Sequence, residues 1–139
     1  KKGRSGRTPV FNGGLLPQNL NELETPSWDE SVIDDYRKLA ELFDLEVTLP
    51  MQTSRGCTFK CTFCSETRLY RYKNNEKIVN EMKGLEEQTG INNFWFTDSL
   101  INGSMPNFKK FVDKLQEEVN NGNIPKMYWG GHFRTHKKY

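Results

Sequence analysis

Three cysteines, Cys57, Cys61 and Cys64, fall within eight positions of the stretch SRGCTFKCTFC, and the 139-residue sequence holds no fourth. An odd count without an apolar leader-like run near the start argues against a disulfide framework. A reducing, cytoplasmic setting is therefore expected. Three thiolates on one short loop can converge on a single inorganic centre. A structural zinc site is closed by four ligands, but the two histidines, His132 and His136, lie about 70 residues away and form no zinc-finger spacing. A ferredoxin supplies four cysteines to a [4Fe–4S] cluster. Three ligands on such a cluster leave one iron open to a small molecule with oxygen and nitrogen donors, and S-adenosylmethionine is reduced in that arrangement. The residues alone leave two other readings open. One is a zinc or iron–sulfur electron-carrier module completed by His132 or a partner's ligand, and the other is a cluster of small buried hydrophobes.

The elements that must position this loop follow from periodicity. Residues 1–26, rich in Gly and Pro, read as an extended linker, and the basic run KKGRSGR at its start as a solvated segment. Ser27 and Glu30 form a capping-box pattern ahead of Val32, Ile33, Tyr36, Leu39, Ala40 and Phe43, which predicts an amphipathic helix over 28–43. A short strand is expected over 46–53, with Pro50 placing its ladder in question. Helices are expected over 75–88, ended by Gly90, and over 106–120, capped by Ser104 with Gly122 beyond its end. Strands are expected at 93–98 and 127–131. Strands alternating with one-faced helices imply an α/β fold of parallel βαβ units. Three strands make a poor sheet, and the sequence lacks an initiator Met, so a piece of a longer protein is expected.

Other polar residues gather where the strands should end. Asp98 and Ser99 fall at the end of the second strand, where Asp98 can accept hydrogen bonds from an ammonium or cap the following turn. Asn102 can do the same, although Asn102-Gly103 reads more simply as a turn. Gly130, Gly131, His132 and Arg134 fall at the end of the third strand. There the glycines allow close approach of a ligand, His132 can move a proton and Arg134 can grip a carboxylate. RLYRYK, Arg68 to Lys73, mixes aromatic and basic residues but reads more simply as a packed helix lead-in. A net charge of +2 gives no field to hold a nucleic acid. No apolar run approaches the roughly 20 residues of a membrane span.

The run Cys57-TFK-Cys61-T-Phe63-Cys64 resembles the signature of the radical S-adenosylmethionine superfamily, C-x3-C-x-aromatic-C, placed after a strand. The resemblance implies a [4Fe–4S] cluster on the three cysteines and S-adenosylmethionine on the open iron. Phe63 would lie near the adenine and the Asp98–Ser99 rim near the amino group, although Thr97-Asp98-Ser99 stands where many members have Gly-Gly-Glu. It implies a partial (β/α)6 barrel, of which 27–139 would be the N-terminal half, truncated after about three strands. A reductase or flavodoxin-type electron donor would be its partner. LPMQTSRGCTFKCTFCSE, FWFTDSLINGSMPNFKKFVDKL and the linker LETPSWDESVIDDY are similar to the branch that carries cobalamin on an upstream domain. That branch implies methyl transfer or ring rearrangement. An inactive fragment is the remaining alternative.

Overall fold

The computed structural model describes residues 19–66 and 69–135. Among them, helices α1 (Glu30–Leu42), α2 (Asn75–Thr89) and α3 (Met105–Asn120) alternate with strands β1 (Leu49–Met51), β2 (Ser54–Arg55), β3 (Arg71–Tyr72), β4 (Asn93–Phe96) and β5 (Tyr128–Gly131). Strands β1, β4 and β5 form a parallel sheet in that order, with Leu49 opposite Phe94 and Phe94 opposite Trp129. The sheet is open, and β1 is one of its edges. An edge tolerates Pro50, whose missing N–H can face away from the ladder. Strands β2 and β3 make a separate antiparallel pair. No helix among the described residues is long and apolar enough to cross a membrane.

The two-residue period of the strands sorts their side chains. Leu49, Met51, Phe94 and Phe96 turn to one face, where Ile78, Val79, Met82 and Leu85 of α2 and Phe111 and Leu115 of α3 bury them. Phe96 and Phe111 meet edge to face with Trp129 beside both. Pro50 and Trp95 turn to the other face, which is uncovered among the described residues.

Helix ends have local causes. Asn74 accepts the Glu76 N–H at the start of α2, and Gly90 ends it with φ +68, its N–H donating to the Glu86 carbonyl. Placing a Cβ in that left-handed conformation is costly, although it would meet only the Arg37 guanidinium, at 4.0 Å. Gly90→Ala is therefore expected to lose about 1 kcal/mol, read as a lower urea midpoint with an unchanged slope.

Three expectations need correction. The cap of α1 is Asp29, which accepts the Ser31 N–H, so the Ser27–Glu30 box does not form. Ile33 is buried, but Val32, Tyr36, Leu39 and Phe43 remain exposed. Helix α1 is held at the far end of α2, where Arg37 donates to the Thr89 carbonyl and Gln88 donates to the Trp28 carbonyl. Ser104 is the N-cap of α3, as expected, although its side chain makes no capping hydrogen bond. The linker expected over 1–26 is partly ordered, with a tight turn at Leu20–Glu22 and Leu20 buried. Its first 18 positions, including the basic run, lie outside the described residues.

Candidate functional site

The cysteine loop leaves the sheet at the C-terminal end of β1 and is pinned where it starts and where it returns. Ser54 pairs with Tyr72 and Arg55 with Arg71, so the loop opens and closes at one short antiparallel ladder. The Lys73 N–H donates to the Thr53 carbonyl at 2.8 Å, and the buried Lys73 ammonium meets Glu81 of α2 at 2.6 Å. Gly56, with φ +83, turns the chain from β2 into Cys57, a conformation that favours glycine.

Asp98, just beyond β4, ties the root of the loop to the sheet. Its carboxylate is buried and accepts the Thr53 N–H at 3.0 Å, the Thr53 hydroxyl at 3.2 Å and the Ser54 N–H. Burial pushes this carboxyl above its ordinary value, and the hydrogen bonds from Ser54 and Thr53 oppose the shift. The expected ammonium-binding group is therefore turned inward, with its oxygens engaged by the loop. Ser99 stays on the rim and donates to Glu66 at 3.0 Å, joining the turn after β4 to the far end of the loop. Ser99, Glu66, Gln52, Ser54, Arg55 and Thr97 surround a polar recess of about 320 Å³ at the strand ends.

All three thiols line one cavity of about 710 Å³, with Phe59, Leu69 and Tyr70 among its walls. Cys57 is half-buried, whereas Cys61 and Cys64 are exposed. Backbone N–H groups approach two of the sulfurs at 3.5 Å, Phe59 at Cys57 and Glu66 at Cys64. Hydrogen bonds to the sulfurs tune a cluster bound to them. Three sulfur donors on one cavity are the donor set that a cluster held by three cysteines would use. In this conformation, no group of three Cys, His, Asp or Glu side chains among the described residues is gathered tightly enough to coordinate an ion. Phe63 is 92% exposed, so ordinary core packing does not account for it.

The third strand end closes over the same loop. The Arg134 guanidinium lies 3.8 Å from the Phe59 ring centre, a stacked cation–π contact. Asn102 exchanges two hydrogen bonds with the Arg134 backbone. His132 lies with Nδ1 3.3 Å from the Asp98 carbonyl and its ring edge-on to Trp95. His136 lies outside the described residues. The glycines of β5 make room for neighbouring side chains: a Cβ on Gly130 would sit 2.8 Å from the Trp95 ring, and one on Gly131 3.2 Å from Phe96. The expected helix lead-in contains strand β3, with the Tyr70 and Tyr72 rings stacked at 6.4 Å. Arg68 lies outside the described residues.

Of these features, the motif named the cysteines and Phe63, and the strand end named Asp98 and Ser99. Asn102 appeared as an ammonium acceptor or, more simply, a turn former, and Tyr70 within the aromatic and basic run RLYRYK, while Phe59 and Glu66 carried no sequence signal beyond their places in or beside the loop.

Three curated proteins are similar to this chain. The anaerobic magnesium-protoporphyrin IX monomethyl ester cyclase of Cereibacter sphaeroides is 30% identical over 76% of the chain and 17% of its own length. An uncharacterized methyltransferase of Pyrococcus horikoshii is 32% identical over 60% of the chain and 18% of its own length. The cytidylyl-2-hydroxyethylphosphonate methyltransferase of Streptomyces wedmorensis is 25% identical over 70% of the chain and 20% of its own length. The chain thus spans about a fifth of these relatives, and by name all three are enzymes. No protein-family model matches the chain, and no solved structure matches it.

Proposed function

We propose that this chain forms the first three parallel strands of a radical S-adenosylmethionine enzyme core, a partial (β/α)6 barrel of which it would be the N-terminal half. The observation that carries the reading is the C-x3-C-x2-C loop at the C-terminal end of β1, with its three thiols on one cavity beside a polar recess at the strand ends. Chemistry in parallel α/β folds belongs at that end. Cys57, Cys61 and Cys64 would hold a [4Fe–4S] cluster. Such a cluster would supply, when reduced, the electron for cleavage of the S-adenosylmethionine sulfonium to methionine and a 5′-deoxyadenosyl radical.

The chain's own residues orient and enclose. Asp98 holds the root of the loop through Thr53 and Ser54, acting on the ligand through the loop. Ser99 and Glu66 offer oxygens at the recess to an ammonium, and Arg134 offers a cation to a carboxylate. Phe63 offers an uncommitted ring to the adenine. Tyr70, with its hydroxyl pushed up by burial, stays neutral and helps keep water from the cavity wall.

The names of the relatives support methyl transfer or ring formation as the reaction class, and the likeness of the linker and barrel stretches to the cobalamin-carrying branch supports cobalamin on an upstream domain as an additional cofactor. Such a protein would work in the reducing cytoplasm with a reductase or flavodoxin-type donor. Residues 27–139 would belong to the core and 1–26 to the segment leading into it.

Anaerobic reconstitution with iron and sulfide, followed by reduction, is expected to give the paramagnetic signal of a [4Fe–4S] cluster that changes on adding S-adenosylmethionine. A signal indifferent to that ligand would reduce the site to an electron carrier. Zinc uptake in place of iron would make it a metal-binding module.

A further inference from the structure

We propose that Asn102 is a positioning residue for the cysteine loop, acting through Arg134 and Phe59. The Asn102 Nδ2 donates to the Arg134 carbonyl at 2.8 Å, and the Arg134 N–H donates to Asn102 Oδ1 at 3.0 Å. A side-chain amide thus makes the same pair of bonds that an opposed strand residue would make. One step nearer the sheet, the Ile101 N–H donates to the His132 carbonyl at 3.0 Å. The turn after β4 and the segment after β5 are therefore clasped by two rungs beyond the end of their ladder.

The clasp reaches the loop on two sides. Fixing the Arg134 backbone places its guanidinium 3.8 Å over Phe59, which lines the cavity between Cys57 and Cys61. A Cβ on Gly103 would meet the Tyr70 ring at 2.6 Å, so the Asn102–Gly103 turn is also seated against another wall of that cavity. An asparagine serving only its own turn would bond neighbouring backbone. Here the local contact is a 3.7 Å approach to Met105 Sδ, while both amide atoms reach 32 residues along the chain. Arginine suits the distal position because its planar cation stacks on a ring and stays charged. That the loop holds a cluster rests on the proposed function, whereas the clasp rests on the geometry alone.

The test compares the full chain with Asn102→Ala, Arg134→Met and the double variant by amide hydrogen exchange without metal. The loop from Cys57 to Cys64, including the bonded amides of Phe59 and Cys64, is expected to exchange about two- to fivefold faster in either single variant. The double variant should be no faster than Asn102→Ala alone, because the Phe59 contact that Arg134→Met removes is reached through the Asn102 clasp. Helix α2 should be unchanged. An unaffected loop, additive single effects or equal acceleration in α2 would overturn the proposal.

After reconstitution, Arg134→Met should lower the cluster's midpoint potential and Asn102→Ala should lower it less, since the first removes the positive charge that the Phe59 contact keeps near the anionic centre and the second only releases it. An unchanged potential in both variants would overturn the electrostatic part. If no iron is taken up, the cluster reading falls, and the exchange result still decides the clasp.

Discussion

Alanine at Cys57, Cys61 or Cys64, one position at a time, is expected to reduce bound iron after anaerobic reconstitution from about four per chain to near zero. A site with three protein ligands has no spare. Removing one thiolate leaves two anchors for a cluster that would then be open at two irons, exposed to solvent and to oxidants. The effect on folding should be small, because Cys61 and Cys64 are exposed and Cys57 is half-buried. None of the three belongs to the core. Surface substitutions of this kind change stability by about 0.5 kcal/mol or less. Iron and sulfide content would therefore collapse while the urea midpoint stays nearly fixed, separating loss of a ligand from loss of fold. A variant that keeps its full cluster and its ligand-sensitive signal would remove that cysteine from the ligand set.

The helices that carry the sheet are legible because their pattern repeats over several turns. Ile78, Val79, Met82 and Leu85 predict α2, and Phe108, Phe111, Val112, Leu115 and Val119 predict α3, with ends displaced by about one residue. Asn93 to Phe96 is legible as a strand for its aromatic run. The β2–β3 pair is not, because two residues on each side hold no period. Its register comes from the return of the chain rather than from either segment. Helix α1 misleads in another way: periodicity reports a face able to be buried, and only Ile33 of that face is buried by the described residues.

The candidate site divides along the same physical line. Three thiols in one loop announce themselves by spacing, since their proximity is local. Asp98 and Asn102 are visible as polar residues at strand ends, but their partners lie 45 and 32 residues away and no local pattern names them. Arg134 invites assignment to a ligand because a free guanidinium is a good carboxylate clamp. Its stacking on Phe59 depends on how far the β5 end reaches over the loop, which only the assembled sheet determines. Local chemistry was therefore readable, and the tertiary hydrogen bonds that aim it were not.

Those tertiary bonds carry the other large expected effect, at Asp98. Asp98→Ala would leave the Thr53 N–H, the Thr53 hydroxyl and the Ser54 N–H without their acceptor in a buried setting. At about 1–3 kcal/mol for each orphaned donor, with some relief from entering water, the loss should be about 3–5 kcal/mol. Asp98→Asn keeps one oxygen but turns an amide toward a donor, so an intermediate loss is expected. Both variants should loosen the root of the cysteine loop more than the α2–α3 side of the core.

The wild-type carboxyl also predicts a pH dependence. Its folded-state value lies above the ordinary 3.8 because burial outweighs the hydrogen bonds from Ser54 and Thr53. In the window above 3.8 and below the folded value, the native state keeps a proton that the unfolded chain releases. Stability from this group is then greatest below 3.8, falls as pH rises through the window and levels off once the native carboxyl has ionised. The difference in urea stability between wild type and Asp98→Asn, followed from acid to neutral pH, should narrow across that window and then stay constant. A difference that widens with pH would mean that the donors outweigh burial and hold the carboxyl below its ordinary value. In either case Asp98 remains the group that couples the β4 end to the cysteine loop, because its three donors require an acceptor at every pH at which the loop is folded.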